Sequence, residues 1–275
     1  MKQVYGILGD PVAHSLSPVM HNAAFAQLGM DAIYLAFRVA REELEDAIRG
    51  AKSLNIAGLN VTIPLKEDAL LFVEPDELAR QIGAINTIDL GTGTPKGYNT
   101  DGLGAIQALQ ERVGVLSGKR VLILGAGGAA RAIAFSLDRE GAFVTLANRT
   151  VARAAQLADR LTNAHAIGLG AEFKAQLTAT DILINTTSVG MHPRVEETLV
   201  TADMLRPELV VFDIVYNPIE TKLLADARRV GVHTCINGVK MLVYQGAAAF
   251  RLWTNREPPL DVMEQAVINA LQRGL

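Results

Sequence analysis

The chain has 275 residues, 49% hydrophobic and 20% charged, with 26 Lys and Arg against 29 Asp and Glu for a formal net charge of −3. This composition is globular and long enough for one large domain or two moderate ones, and its near-neutral balance and 5% aromatic content argue against a nucleic-acid partner. The lone Cys235 excludes an internal disulfide or a thiolate metal site, and no apolar segment approaches the ~20 residues of a membrane span, so a cytoplasmic protein without a membrane partner is expected.

Short apolar runs alternate with helical patterns along the chain. "VYGILG" (4–9) reads as a strand, broken by Asp10 and Pro11 too early for a signal peptide, and "SPVMHNAAFAQLG" (17–29) as a helix. A strand over 33–39, a helix over 41–54, a strand over 58–64 and a helix from about Lys66 follow. "AINTIDL" (84–90), a "GTGTPKG" turn and "YNTDG" suggest two further strands and their exit loop. The alternation predicts an α/β fold with a parallel sheet covered by helices.

A second pattern begins near residue 103, where "DGLGAIQALQERVG" is a helix able to carry the chain into a new domain. Strand, glycine turn, helix and strand follow in "KRVLILGAGGAARAIAFSLDREG" and "FVTLANRT", and "DILINTTSVGM" and "LVVFDIVYNP" continue the rhythm to "CING" (235–238). From about 239 the chain is helical, with Leu260, Met263, Val267, Ala270 and Leu271 on one face. The expected domains are 1–102 with 239–275, and 103–238, the C-terminal helices returning to the first domain. No internal repeat or low-complexity segment is present.

The turn after strand 120–124 places Gly125, Gly127 and Ala130 in the three small positions of a dinucleotide fingerprint, with Ala126, Gly128 and Ala129 between them. The first glycine permits the tight turn, and the second lets backbone approach a pyrophosphate. The small third residue packs helix on strand, and the helix N-terminus offers its free N–H groups to phosphates. Alone the motif is weak; strand before, helix and strand after strengthen it. The next strand ends at Asn148, 148 − 125 = 23 residues beyond the first glycine, where an NAD protein would carry an acid. Here Arg149, Thr150 and Arg153 follow instead, a guanidinium and hydroxyl set suited to a 2′-phosphate. NADP is the expected cofactor.

Polar residues gather at the ends of the first domain's strands. Ser15 and Ser17 precede a helix, Ser17 with Pro18 reading as an N-cap and N1 pair, and two hydroxyls there also suit an anion. Asn60, Thr62 and Lys66 come from one strand, Asn86 and Thr87 from the next, and Asn99, Thr100 and Asp101 from the loop after it. Ligands bind at such strand ends in open α/β sheets. These amides, hydroxyls and one Lys–Asp pair point to a small polyhydroxylated substrate. His14, His21, His165, His192 and His233 show no ligand spacing, so no metal is expected, and His14 reads as a surface residue.

"SLSP", "NVTIPLK", "GAINTI", "YNTDG", "GAGGAARA", "NRT", "NTTSVGM", "DIVYNP" and "NGVKMLVYQGA" occur in the order seen in shikimate dehydrogenases, and the sequence resembles that family over nearly its whole length. The resemblance implies NADPH-dependent reduction of 3-dehydroshikimate to shikimate, on the route to aromatic amino acids. It implies a substrate domain built from both ends of the chain around a Rossmann domain. It makes Lys66 and Asp101 the catalytic pair and places Ser15 and Ser17 on the substrate carboxylate. Asn60, Thr62, Asn86 and Gln245 would bind hydroxyls and neighbouring groups. Thr186, Ser188, Met191 and Val215 would lie along the cofactor, with Tyr216 on the substrate side and Gly238 on the cofactor side of the active site. Lys240 departs from the glycine that many members carry before the Met–Leu pair. A quinate or dual quinate/shikimate dehydrogenase is the alternative, and a non-catalytic NADP-binding regulator is disfavoured by the intact Lys–Asp pair. A homodimer is left open.

Overall fold

The computed structural model describes residues 2–91 and 93–274. Two units emerge, one built from residues up to Gly104 together with those from Val243 onward, the other from Ala105–Leu242.

The first unit contains β1 (Gln3–Gly9), α1 (Ser17–Gln27), β2 (Ala32–Arg38), α2 (Leu44–Ser53), β3 (Gly58–Val61), β4 (Glu74–Pro75), α3 (Glu77–Ile82), β5 (Thr87–Asp89) and β6 (Lys96–Tyr98). Its sheet has the order β2-β1-β3-β5-β6-β4. β1 pairs in parallel with β2 and β3, as the alternation predicts, and β4 runs parallel to β6. β5 is antiparallel to both β3 and β6. The link from β5 to β6 is a short turn, and a parallel pair needs a crossover of a dozen or more residues. Leu44, Ile48, Leu59, Val61, Ile85 and Ile88 form the core between sheet and helix on one face.

Three local expectations change. The third strand ends at Val61, not at residue 64, because the chain turns at once: the Leu65 N–H donates to the Thr62 carbonyl at 2.9 Å. The helix expected from Lys66 is a short 3₁₀ turn, Asp68–Leu71. Pro75 forms strand β4, and α3 starts only after Asp76, whose carboxylate caps the Ala79 N–H at 2.7 Å. Ser17 is the first residue of α1 and not its N-cap; Ser15 Oγ instead accepts the Ser17 N–H at 3.3 Å.

α4 (Asp101–Val113) leads into the second unit, which runs through β7 (Arg120–Leu124), α5 (Gly128–Arg139), β8 (Phe143–Ala147), α6 (Val151–Ala158), β9 (Ala164–Ile167), α7 (Ala171–Thr178), β10 (Ile182–Asn185), β11 (Val210–Asp213), α8 (Lys222–Val230) and β12 (Thr234–Ile236). The sheet is all parallel in the order β12-β11-β10-β7-β8-β9, the Rossmann arrangement, with its order reversing at β7. Its inner strands are almost wholly apolar, as strands covered on both faces must be. β9 and α7 are not legible in the sequence, since "AHAI" carries neither a clear alternation nor a long apolar run.

α9 (Gly238–Thr254) and α10 (Leu260–Gln272) close the chain, and α10 packs on α1 in the first unit through its buried Met263, Val267 and Ala270. Trp253 of α9 lies so close to Gly58 that a side chain there would collide with the indole, whose N–H donates to the Ile88 carbonyl at 3.0 Å. No helix among the described residues is long and apolar enough to cross a membrane.

Candidate active site

In the first unit the strand ends bring most of the expected polar residues together. β3 delivers Asn60, whose Nδ2 donates to the Asn86 carbonyl at 2.9 Å and to Thr87 Oγ1 at 3.1 Å. The Asn86 side chain holds the far end: Oδ1 accepts the Thr100 N–H at 2.8 Å, and Nδ2 donates to Asp101 Oδ1 at 2.8 Å and Thr100 Oγ1 at 3.0 Å. Gln245 of α9 closes on the same amide, its Oε1 3.3 Å from Asn86 Nδ2. Asn60, Asn86, Thr87, Thr100 and Asp101 are all buried, so their mutual bonds replace those lost to water.

Lys66 follows the turn that ends β3, and its carbonyl accepts the Ile85 N–H at 2.9 Å, tying it beside the approach to β5. Its ammonium forms an ion pair with Asp101 Oδ2, and the Lys66 side chain keeps 24% of its surface exposed. Asp101 is the first residue of α4, with its N–H on Asn99 Oδ1 at 3.1 Å. One carboxylate oxygen therefore takes the ammonium and the other takes the Asn86 amide. Thr62, half-buried at the turn, packs its methyl against Gly9.

A residue that the sequence reads only as part of the strand 33–39 also reaches this cluster. The Tyr34 hydroxyl donates to Asn60 Oδ1 at 2.7 Å, and burial raises its pKa well above the ordinary phenol value. His21 is also missed: it is fully buried and stacked on Tyr34, while His14 is exposed as expected. An isolated tyrosine in an apolar strand gives no sequence signal of such a position.

The second unit offers a different kind of surface. Gly125 adopts φ +109°, which favours glycine, and a side chain there would meet Thr186 Oγ1 at 2.8 Å. A Cβ at Gly127 or Gly128 would meet nothing within 4 Å, so the backbone of the turn stands open at the N-terminus of α5. Ala126 and Ala129 line the same turn, and Ala130 is buried against the strand. At the end of β8, Asn148 Nδ2 donates to the Thr150 carbonyl at 2.9 Å. Arg149 and Arg153 are exposed and form no ion pair among the described residues, and the Thr150 side chain makes no cap bond to α6. Open glycine backbone and two uncommitted guanidiniums beside a hydroxyl fit a dinucleotide carrying a 2′-phosphate.

The remaining expected cofactor residues sit on loops anchored by Asp213. This fully buried carboxylate accepts from Thr221 Oγ1 at 2.6 Å, Asn185 Nδ2 at 3.0 Å and the Val215 N–H at 3.1 Å. Burial raises its pKa to about 6 despite those three bonds. Asn185 Oδ1 in turn accepts from Thr187, and Thr186 Oγ1 donates to the Leu124 carbonyl at 2.6 Å. Ser188 and Met191 are exposed beyond this knot, and Tyr216 is half-buried with its phenol pKa raised by burial. Gly238 lies against the chain leaving β11, where a side chain would collide with the Ile214 carbonyl. Lys240 pairs with Glu111 of α4 at 3.7 Å. Tyr216 belongs to this unit, whereas the other expected substrate residues belong to the first. An acid ending the apolar strand "VVFD" is the sequence signal that could have found Asp213.

Known proteins are similar to this chain in sequence and fold. Residues 7–88 match the family model of the shikimate dehydrogenase substrate binding domain, 107–232 that of shikimate / quinate 5-dehydrogenase, and 238–268 that of the shikimate 5'-dehydrogenase C-terminal domain. A shikimate dehydrogenase (NADP(+)) of Methanosarcina barkeri is 55% identical over 99% of this chain and 100% of its own. A shikimate dehydrogenase crystallised with NADP+ superposes with a TM-score of 0.92 at 44% identity, covering 98% of this chain and 96% of that one. The Thermus thermophilus enzyme in complex with NADP(H) and shikimate gives 0.89 at 37% identity, over 98% and 99%. With its two sheets, its glycine turn and this similarity along its whole length, the chain belongs to the shikimate dehydrogenase family.

Proposed function

We propose that the protein is a cytoplasmic shikimate dehydrogenase, catalysing the reversible NADPH-dependent reduction of 3-dehydroshikimate to shikimate for aromatic amino acid biosynthesis. The observation that carries this reading is the Lys66–Asp101 ion pair set in a buried wall of amides and hydroxyls. NADPH, when bound, supplies a hydride. What the chain must supply is a proton for the oxygen of the reduced ketone and a grip on the rest of the ring.

Lys66 is the proton donor. Its ammonium, partly exposed, donates a hydrogen bond to the ketone oxygen and passes a proton to it as negative charge develops, a contribution of roughly 10²–10⁴ in rate. Asp101 orients the ammonium, and Asn86 holds the second carboxylate oxygen so that Asp101 cannot rotate away. Ser15 and Ser17, at the start of α1, receive the substrate carboxylate, where backbone N–H groups and the helix dipole favour an anion. Asn60, Thr62, Asn86 and Gln245 bind ring hydroxyls, and Tyr216 is a further substrate-binding residue.

On the cofactor side, the turn Gly125–Ala130 receives the pyrophosphate, and Asn148, Arg149, Thr150 and Arg153 the 2′-phosphate end. Thr186, Ser188, Met191, Val215 and Gly238 flank the ribose and nicotinamide. A dual quinate/shikimate activity is the second reading, favoured by the family description that spans both acids. NADPH oxidation with 3-dehydroshikimate and with 3-dehydroquinate decides between them. Turnover at least about tenfold more efficient with the former is expected; equal turnover establishes the dual enzyme, and no turnover with either removes the proposal.

A further inference from the structure

One oxygen of a buried carboxylate holds two loops of the second unit at once. Asp213, the last residue of β11, is fully buried. Its Oδ1 accepts from Asn185 Nδ2, at the end of β10, at 3.0 Å and from the Val215 N–H, just beyond β11, at 3.1 Å. Its Oδ2 accepts from Thr221 Oγ1 at 2.6 Å, and the same hydroxyl caps α8 by accepting the Leu224 N–H at 3.4 Å.

Asn185 extends the grip along the loop after β10. Its Oδ1 accepts from the Thr187 hydroxyl at 2.7 Å and the Thr187 N–H at 3.1 Å, and its Nδ2 also donates to the Val189 carbonyl at 3.2 Å. Further along, the His192 N–H donates to the Asn217 carbonyl at 3.0 Å and joins this loop to the one after β11. Thr186, Ser188 and Met191 lie on the first loop and Val215 on the second. Both loops leave the same ends of parallel strands, where ligands bind in open α/β sheets. Loops are ordinarily the mobile part of a fold, and ordering them on binding costs affinity. Here they are ordered by bonds that need no ligand. Asp213, wholly buried, can act on a ligand only through them.

We infer that Asp213 is a positioning residue for the nicotinamide half of the cofactor, its Oδ1 fixing the loops after β10 and β11 in their binding form before the cofactor arrives. The inference rests on the reading of Thr186, Ser188, Met191 and Val215 as cofactor-binding residues given above. No covalent bond forms or breaks; the carboxylate lowers the ordering cost of binding.

Calorimetric titration with NADP+ and with adenosine 2′,5′-bisphosphate, which lacks the nicotinamide half, tests this without turnover. Asp213→Ala removes both Oδ1 bonds. Its Kd for NADP+ should rise at least about tenfold, while that for the bisphosphate stays within about twofold. Asp213→Asn keeps an acceptor at the Oδ1 position and turns its NH2 towards Thr221 Oγ1, which has a lone pair left. Its Kd for NADP+ should stay within about threefold of the original. Asn185→Ala, which cuts the first loop from Asp213, should show the same split between ligands as Asp213→Ala and serves if that variant does not fold. A further measurement needs no variant: without cofactor, the Thr187 and Val215 amides should already be protected from hydrogen exchange, NADP+ adding less than about tenfold. Free exchange of these amides before NADP+ is added overturns the inference. Equal weakening of both ligands overturns it too, since Asp213 would then only support the fold of the unit, as does Asp213→Asn binding no tighter than Asp213→Ala. So does an Asp213→Ala protein with the original Kd for NADP+. If that last result is accompanied by weakened NADP+ binding in Ser188→Ala or Met191→Ala, only the anchor falls. If these variants also bind normally, the assigned cofactor residues fall with it.

Discussion

The polar wall of the first unit is made of side chains that hold one another, whereas the glycine turn of the second is backbone that leaves open space around it. On the proposed function, the difference follows from what each surface would have to grip. Ring hydroxyls and a ketone oxygen are small, neutral and directional, so the groups that meet them must be locked in place beforehand, and each free amide or lysine would lose rotamer entropy on binding. A pyrophosphate is large and charged, and a helix N-terminus already points its N–H groups at it without any side chain to order. The two units also bury titratable groups of opposite sense. His21 in the first is kept neutral with its pKa lowered to about 3, while Asp213 in the second has its pKa raised to about 6.

The largest way to break this contrast is Lys66→Ala. Loss of the one ammonium in the wall should lower kcat by roughly 10²–10⁴ while the KM for shikimate changes little, measured by steady-state kinetics. A large KM effect with near-normal kcat would make Lys66 a binding residue. Next comes Arg149→Asp. Replacing an exposed guanidinium with a carboxylate should swing the NADP/NAD preference by about 100-fold or more towards NAD, read as the ratio of kcat/KM values. An unchanged ratio would show that the open corner after β8 does not read the 2′-phosphate.

The smallest effect concerns pH. The His21 pKa lies near 3 in the folded chain and ~6.5 in the unfolded one, so the unfolded chain takes up the proton first as pH falls. The stability His21 contributes is complete above about pH 6.5 and is lost as pH falls toward about 3. Asp213 works in reverse: the burden of its buried charge is absent below about pH 4 and complete above about 6. From pH 7 to pH 5, His21→Phe should therefore retain about 2 kcal/mol that the unmodified chain loses at this residue, measured by urea unfolding at both values. Identical pH dependence in the two proteins would place His21 in a wetter environment.

The two surfaces were also unequally legible. The glycine turn is written as contiguous residues whose spacing has one main use, and Gly125–Ala130 stands where the spacing puts it, from the end of β7 into the first turn of α5. The wall is assembled from separate stretches of the chain, and the sequence shows its polar ends, Asn60, Lys66, Asn86 and Asp101, without showing how they bond. Tyr34 and His21 were illegible because tertiary packing alone gives a tyrosine in a strand and a histidine in a helix their roles. The helix expected from Lys66 failed on Pro75 and the Asp76 cap, local signals that outweigh periodicity in so short a segment. β5 was found as a strand but not as antiparallel, since direction is set by the turn to β6 and not by the apolar pattern.

The central claim is that Lys66 and Asp101 act as one unit within the wall, and the double-mutant cycle of Lys66→Ala and Asp101→Asn in kcat tests it most directly. If Asp101 works by orienting the ammonium, the double variant should be no slower than Lys66→Ala alone, to within about threefold. Losses that multiply across the two substitutions would mean that each residue acts independently, and the account of the pair would be wrong.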